Sequence, residues 1–154
     1  KPTQASLLAT PYLSWSWNMS LHDKGAHPVR LAVGFLGGNP DPQSPTPGPK
    51  TDQAGLPAHD RAVVIIWGMS ALQRGAISIP NSTTKRQAAA QYTPRGGREN
   101  TGSWWFETVD LSDIYRRAWP GDDAANVKIT FIGIAAAPAR KPATGHFSGL
   151  RLSR

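Results

Sequence analysis

The chain has 154 residues, no cysteine, a formal net charge of +7, 15 glycines and 14 prolines. The lack of cysteine excludes disulfides and thiolate metal sites, and no apolar run approaches the roughly 18 residues of a membrane span. Glycine and proline disfavour long helices, and the scattered basic residues form no stripe of the kind that nucleic-acid-binding modules carry.

Alternation of apolar and polar residues predicts the first two strands. In residues 11–21 every second side chain is apolar, which predicts a half-buried strand with Trp15 and Trp17 in the core. Stacking of a sugar on the same two rings stays open if their side of the strand faces a cleft. Residues 29–36 repeat the alternation and predict a second strand.

Residues 37–60 are rich in proline and glycine, so they can sustain neither a helix nor a strand and predict one long loop. Loops of this length are usually mobile or functional. We therefore expect this loop to contact its own domain or a partner chain.

The middle of the chain predicts further short strands. Residues 62–68 form a continuous apolar run, which is typical of a central strand covered on both faces. Residues 75–80 predict a short strand, and residues 86–93 predict another strand or, as the alternative, one helical turn. Residues 94–100 predict a loop that contains the RGGR run. A single RGGR copy favours a turn over an RNA contact.

A strand followed by a short helix is predicted for residues 102–123. The strand alternates, so that two sets of side chains lie on opposite faces: Trp104, Phe106 and Thr108 on one, and Trp105, Glu107 and Val109 on the other. Asp110 suits the N-cap of a helix over residues 111–118, which Pro120 and Gly121 end.

Two last strands are predicted at residues 127–137 and 146–152. About eight short strands and one small helix, without an internal repeat, predict an all-β fold. We expect a two-sheet antiparallel β-sandwich or jelly roll, galactose-binding-like, in a single domain over residues 1–154.

The sequence carries no catalytic, cofactor or metal signature. Ser70 lacks the second glycine of a nucleophile elbow, and the four histidines show no zinc-ligand spacing. Glu107, Asp110 and Asp113 could supply paired carboxylates for glycoside hydrolysis. Capping by the two aspartates and pairing of Glu107 with an arginine on the next strand explain them more simply.

Seven short motifs resemble, in order and spacing, a bacterial domain-of-unknown-function family, number 3047. They are PYLSWSW at 11–17, RLAVGF at 30–35, WG at 67–68, Trp104 with Glu107 and Asp110, DIYRR at 113–117, IGI at 132–134 and a closing strand with Phe147. The resemblance implies a jelly-roll sandwich and export, and therefore a periplasmic or secreted location with the signal peptide removed. Members tend to carry an acidic loop after the penultimate strand, whereas this chain has AAPARKPATG there, which argues against a cation site.

These observations favour a non-catalytic, exported binding protein, most simply an accessory or assembly subunit of the cell envelope. We expect it to bind another protein chain, and the 37–60 loop is a candidate contact. The alternative is a glycan-binding module, for which Tyr92 and Trp105 are the candidate rings and Arg95 and Arg98 the candidate partners of acidic sugars. A polysaccharide-acting enzyme is the third hypothesis. No cofactor is expected.

Overall fold

A computed structural model describes residues 2–23, 25–39, 55–79 and 89–154. Within these residues the chain forms nine strands and one α-helix, and three single turns of 3-10 helix. The strands are β1 (Pro2–Ser6), β2 (Tyr12–Met19), β3 (Val29–Leu36), β4 (Arg61–Gly68), β5 (Ala76–Ser78), β6 (Ala90–Gly96), β7 (Trp105–Asp110), β8 (Lys128–Ala136) and β9 (Gly145–Ser153), and the helix is α1 (Leu111–Ala118).

The strands form two sheets that pack face to face. The large sheet has the order β1-β8-β3-β4-β6-β5, and the small sheet has the order β7-β2-β9. All strand pairs are antiparallel except the pair of β4 and β6, which is parallel. The predicted all-β sandwich with one short helix is confirmed.

The core lies between the inner faces of the two sheets. Trp15 and Trp17 of β2 are fully buried, and their rings meet edge to face with centroids 5.3 Å apart. Trp17 also meets Trp67 of β4 at 5.4 Å. The predicted core position of both β2 tryptophans is confirmed, because alternation placed them on the side that the large sheet covers.

Helix α1 begins and ends where its sequence predicts. The Asp110 carboxylate accepts hydrogen bonds from the backbone N–H groups of Ser112 and Asp113, at 2.8 and 3.0 Å, and so caps the first turn. The apolar side chains at helical spacing, Leu111, Ile114, Tyr115 and Ala118, are buried against the sandwich.

Two predictions about strands were wrong. Strand β1 was missed because PTQAS is polar and lies at an exposed edge of the large sheet, without apolar alternation. Residues 94–96 belong to β6 rather than to a loop. Two residues of β6, Thr93 and Pro94, lie opposite the single residue Ile66 of β4, and this bulge accommodates a proline inside a strand.

We predicted that the loop 37–60 contacts its own domain or a partner chain. The ends of this loop are described and lie against the sandwich, whereas residues 40–54 lie outside the described residues. The Gly37 backbone N–H donates to the Asp60 carboxylate at 2.9 Å, which joins the two ends of the loop to each other. The second end is held on the large sheet, because the Asp60 N–H donates to the Phe35 carbonyl of β3 at 2.9 Å and the His59 ring packs on Phe131 with centroids 5.2 Å apart. Phe131 lies on the outer face of the large sheet across Gly34, where any Cβ would overlap its ring.

Candidate functional site

The two faces of β7 have different environments. The side chains of Glu107 and Val109 are buried on the inner face, with Trp105 half-buried beside them. On the outer face, Trp104, one residue before the strand, is 55% exposed and Phe106 is 67% exposed. The predicted division of the two adjacent tryptophans between opposite faces is therefore observed, and Trp104 is the one that faces solvent.

A buried ion pair occupies the inner face. Arg95 Nε of β6 donates to Glu107 Oε1, and the two side chains are only 14% and 4% exposed. Trp17 Nε1 donates to the same oxygen at 3.4 Å. The pair links the large sheet to the small one. Glu107 thus pairs with an arginine, as predicted, but the arginine is on the preceding strand rather than the next.

Two of the four predicted contact residues touch each other here. The Arg95 guanidinium lies over the Trp105 ring, 3.9 Å from its centroid, and Trp105 Nε1 donates to the Asn100 carbonyl at 2.8 Å. Because Arg95 covers one face of the ring and the ring also packs against the core, Trp105 offers a sugar less free surface than Trp104 does.

The other two predicted residues lie apart from this contact. Tyr92 of β6 packs against the core, and burial raises the pKa of its hydroxyl. Arg98 is exposed on the 3-10 turn Arg98–Asn100 that follows β6. The structure therefore assembles Arg95 and Trp105 into one internal cluster and does not gather all four residues at one surface.

The outer face of the small sheet carries exposed aromatic rings beside a row of polar side chains. Trp104 and Phe106 occupy successive positions on one side of an extended segment, with Cα atoms about 7 Å apart. We call these two residues the aromatic strip. In register, Phe106 is opposite Ser16 of β2, and Ser16 is opposite Ser148 of β9.

Further polar side chains continue this face in both directions along the strands. Ser14 lies opposite Thr108 on one side, and Asn18 lies opposite His146 on the other. Asn18 Nδ2 donates to the Gly102 carbonyl at 3.2 Å, which fixes the side chain at that end. The face therefore combines apolar rings at an edge strand with hydroxyl, amide and imidazole groups across the sheet.

The nearby carboxylates already have structural partners. Glu107 is paired inside the sandwich, and Asp110 caps α1. Burial acts to raise the pKa of Asp110, but hydrogen bonds from Ser112 and the first-turn amides outweigh it and hold the pKa below its ordinary value. Asp113 forms an exposed ion pair with Arg117 one turn along the helix.

No protein-family model, curated protein or solved structure significantly matches this chain. The resemblance to family 3047 therefore stays a prediction. Among the described residues, no helix is long and apolar enough to cross a membrane. The same part of the chain holds no cluster of three or more His, Cys, Asp or Glu side chains suited to a metal ion.

Sequence reasoning placed Trp104 and Phe106 on one face but did not select them as contact residues. Alternation alone separates two faces without indicating which one the second sheet covers. The opposite face carries Glu107 and Trp105, which can be buried together once an arginine neutralises the carboxylate. If that face is buried, Trp104 and Phe106 face solvent, and this inference could have selected them as contact residues.

Proposed function

We propose that this protein is a non-catalytic carbohydrate-binding β-sandwich whose ligand lies on the outer face of the small sheet. The observation that carries the proposal is the aromatic strip, two exposed aromatic residues two positions apart in the chain, of which Phe106 lies opposite Ser16 and, through it, in line with Ser148. A pyranose ring has an apolar C–H face and a rim of hydroxyls. The aromatic strip suits the apolar C–H face of the sugar, and the row of serines suits its hydroxyls.

The available energy fits a binding module. If a sugar covers on the order of 100 Å² of the exposed ring surface, apolar burial contributes about 2–3 kcal/mol. Hydrogen bonds to the polar row add smaller net amounts, about 1 kcal/mol each. Affinities in the range of about 1 mM to 1 µM follow if several sugar units are bound together.

A protein partner, which the sequence favoured, is the second candidate. Strand β7 is an edge strand of the small sheet, so one side of its backbone has no strand partner among the described residues. An edge strand with exposed aromatic side chains can accept a strand from another chain. In this case too the binding site includes Trp104 and Phe106. The proposed setting for either ligand is the bacterial cell envelope.

Affinity electrophoresis tests the carbohydrate proposal. The wild-type protein is run in gels that contain a soluble β-glucan, a xylan, a galactomannan or an arabinogalactan. We expect retardation by at least one of them, and Trp104→Ala and Phe106→Ala should each weaken the apparent affinity about tenfold, the equivalent of about 1.4 kcal/mol.

Leu72→Ala is the matched control, because Leu72 is 96% exposed but lies on the 3-10 turn Ala71–Gln73, which contacts β6 of the large sheet. This variant should migrate like the wild type in every gel. Retardation that survives both ring substitutions would refute the proposed surface. If no polysaccharide retards the wild type, the carbohydrate proposal fails. A stable complex with a co-purified protein chain would establish the protein-binding alternative, provided that Trp104→Ala abolishes the complex.

A further inference from the structure

A positively charged cleft lies at one end of the sandwich. It is formed by the connection between β2 and β3 and the connection between β8 and β9, and it encloses about 250 Å³. The two connections are joined by a hydrogen bond of 2.9 Å from the Ala137 N–H to the Pro28 carbonyl. The cleft is thus a built feature of the fold, because adjacent strands β3 and β8 hold its two walls in register.

The charges in the cleft are unbalanced. Its described lining includes three cations, Arg30, Arg140 and Lys141, and one carboxylate, Asp23. Asp23 forms an exposed ion pair with Lys141 at 3.3 Å. Among the described residues, no carboxylate lies within ion-pair distance of Arg30 or Arg140.

Arg30 is the central cation of the cleft. Its Nε donates to the Pro28 carbonyl at 3.3 Å, which holds the guanidinium beside the wall. Partial burial lowers the pKa of Arg30 from its ordinary value, because the charge has lost water without gaining a carboxylate partner. A guanidinium in this condition is suited to a planar oxyanion, which it can bind through two parallel hydrogen bonds.

Two histidines next to the cleft have unused hydrogen-bonding atoms. His22 lines the cleft, and its ring packs edge-on against fully buried His27 with centroids 4.8 Å apart. His27 Nδ1 accepts from the Val29 N–H at 3.1 Å, and His22 Nε2 lies 3.0 Å from the Gly25 carbonyl. The remaining nitrogens, His22 Nδ1 and His27 Nε2, are buried and have no hydrogen-bond partner among the described residues.

These two nitrogens are closed to solvent, so a ligand in the cleft reaches other atoms of the His22 ring and not Nδ1. The unbalanced positive charge and the shape of the cleft therefore point to an anionic ligand.

We propose that this cleft is a binding site for a small ligand that bears a carboxylate or a phosphate. Arg30 is the principal contact, and Arg140 and Lys141 supply further positive charge. The volume is slightly below the usual range of small-molecule pockets, so the ligand is about the size of one sugar acid or sugar phosphate. This site is independent of the aromatic strip.

Calorimetric titration tests the site, with sodium glucuronate and inorganic phosphate as probes and glucose as the neutral control, all at constant ionic strength. We expect at least one anion to bind with a Kd below about 10 mM, and glucose not to bind in the cleft. Tighter binding of glucuronate identifies a carboxylate ligand, and tighter binding of phosphate identifies a phosphorylated one. Failure of both anions to bind would overturn the proposal.

Arg30→Gln and Arg140→Gln should each weaken anion binding, about tenfold for Arg30. Arg140 is exposed on the β8–β9 connection, so its variant is expected to fold normally. Lys128→Gln removes the same charge at the opposite end of β8 and should leave anion affinity within about twofold. Equal losses of anion affinity in all three variants would show a general electrostatic effect and refute the site. Polysaccharide binding by the outer face of the small sheet should be unaffected by any of the three substitutions.

Discussion

Removing Arg95 should destabilise the protein strongly, because Glu107 is only 4% exposed and would be left as an uncompensated charge between the sheets. Breaking a buried ion pair from one side costs about 3–5 kcal/mol. In a domain of this size, each kcal/mol lowers the Tm by about 2–4 °C. Arg95→Met should therefore lower the Tm by about 6–20 °C.

This loss comes from the unpaired buried charge, so removing the charge should recover stability. Adding Glu107→Gln to Arg95→Met keeps an oxygen that accepts from Trp17 Nε1 but carries no charge. We expect the double variant to be at least about 1 kcal/mol more stable than Arg95→Met alone. Urea unfolding followed by tryptophan fluorescence measures all three free energies of unfolding.

Lys141→Gln is the control for this series, because it breaks an ion pair whose two side chains are exposed. Its free energy of unfolding should stay within about 1 kcal/mol of the wild type. If Arg95→Met also stays within about 1 kcal/mol, or if the double variant is less stable than Arg95→Met, the account of the buried pair is wrong.

Three further substitutions test the fold. Gly34→Ala should lower the free energy of unfolding by about 1–3 kcal/mol in urea titrations, because the added methyl overlaps the Phe131 ring, and an unchanged midpoint would contradict that packing. Tyr115→Phe removes a hydrogen bond of 2.7 Å from the phenol to the Asp122 carboxylate and should cost about 1.5–3 kcal/mol by thermal unfolding, whereas a neutral effect would argue against that bond. Asp110→Ala removes the cap of α1 and should cost about 1 kcal/mol at pH 7. The folded-state pKa of Asp110 is below its unfolded value, so its contribution is complete above the unfolded pKa and is lost as the pH falls through the folded pKa. The difference between Asp110→Ala and the wild type should therefore shrink on acidification below about pH 4, and a difference that grows on acidification would refute this linkage.

Local sequence signals determined the elements that could be predicted. Alternation in β2 and the Asp110 cap each fix structure through neighbouring residues, and both were predicted correctly. Strand β1 and the end of β6 depend on partners distant in sequence. Strand β1 is a polar edge strand. The end of β6 accommodates Pro94 at a bulge opposite Ile66 of β4.

The candidate sites were harder to predict for the same reason. The sequence identified Arg95 and Trp105 among four candidate glycan contacts, but it could not show that they stack on each other, because the stacking depends on two strands from different sheets. The cationic cleft joins the Arg30 region to Arg140 and Lys141, which are more than a hundred residues further along the chain. No spacing rule connects such segments, and the scattered charges looked like an ordinary solvated surface.

Backbone amide chemical shifts test the central claim most directly. The ¹⁵N-labelled wild-type protein is titrated with the polysaccharide that retards it most strongly in gels. The carbohydrate proposal predicts the largest shift changes on the outer face of the small sheet, at Phe106 and at its register neighbours Ser16 and Ser148. Shift changes confined to the large sheet would contradict it.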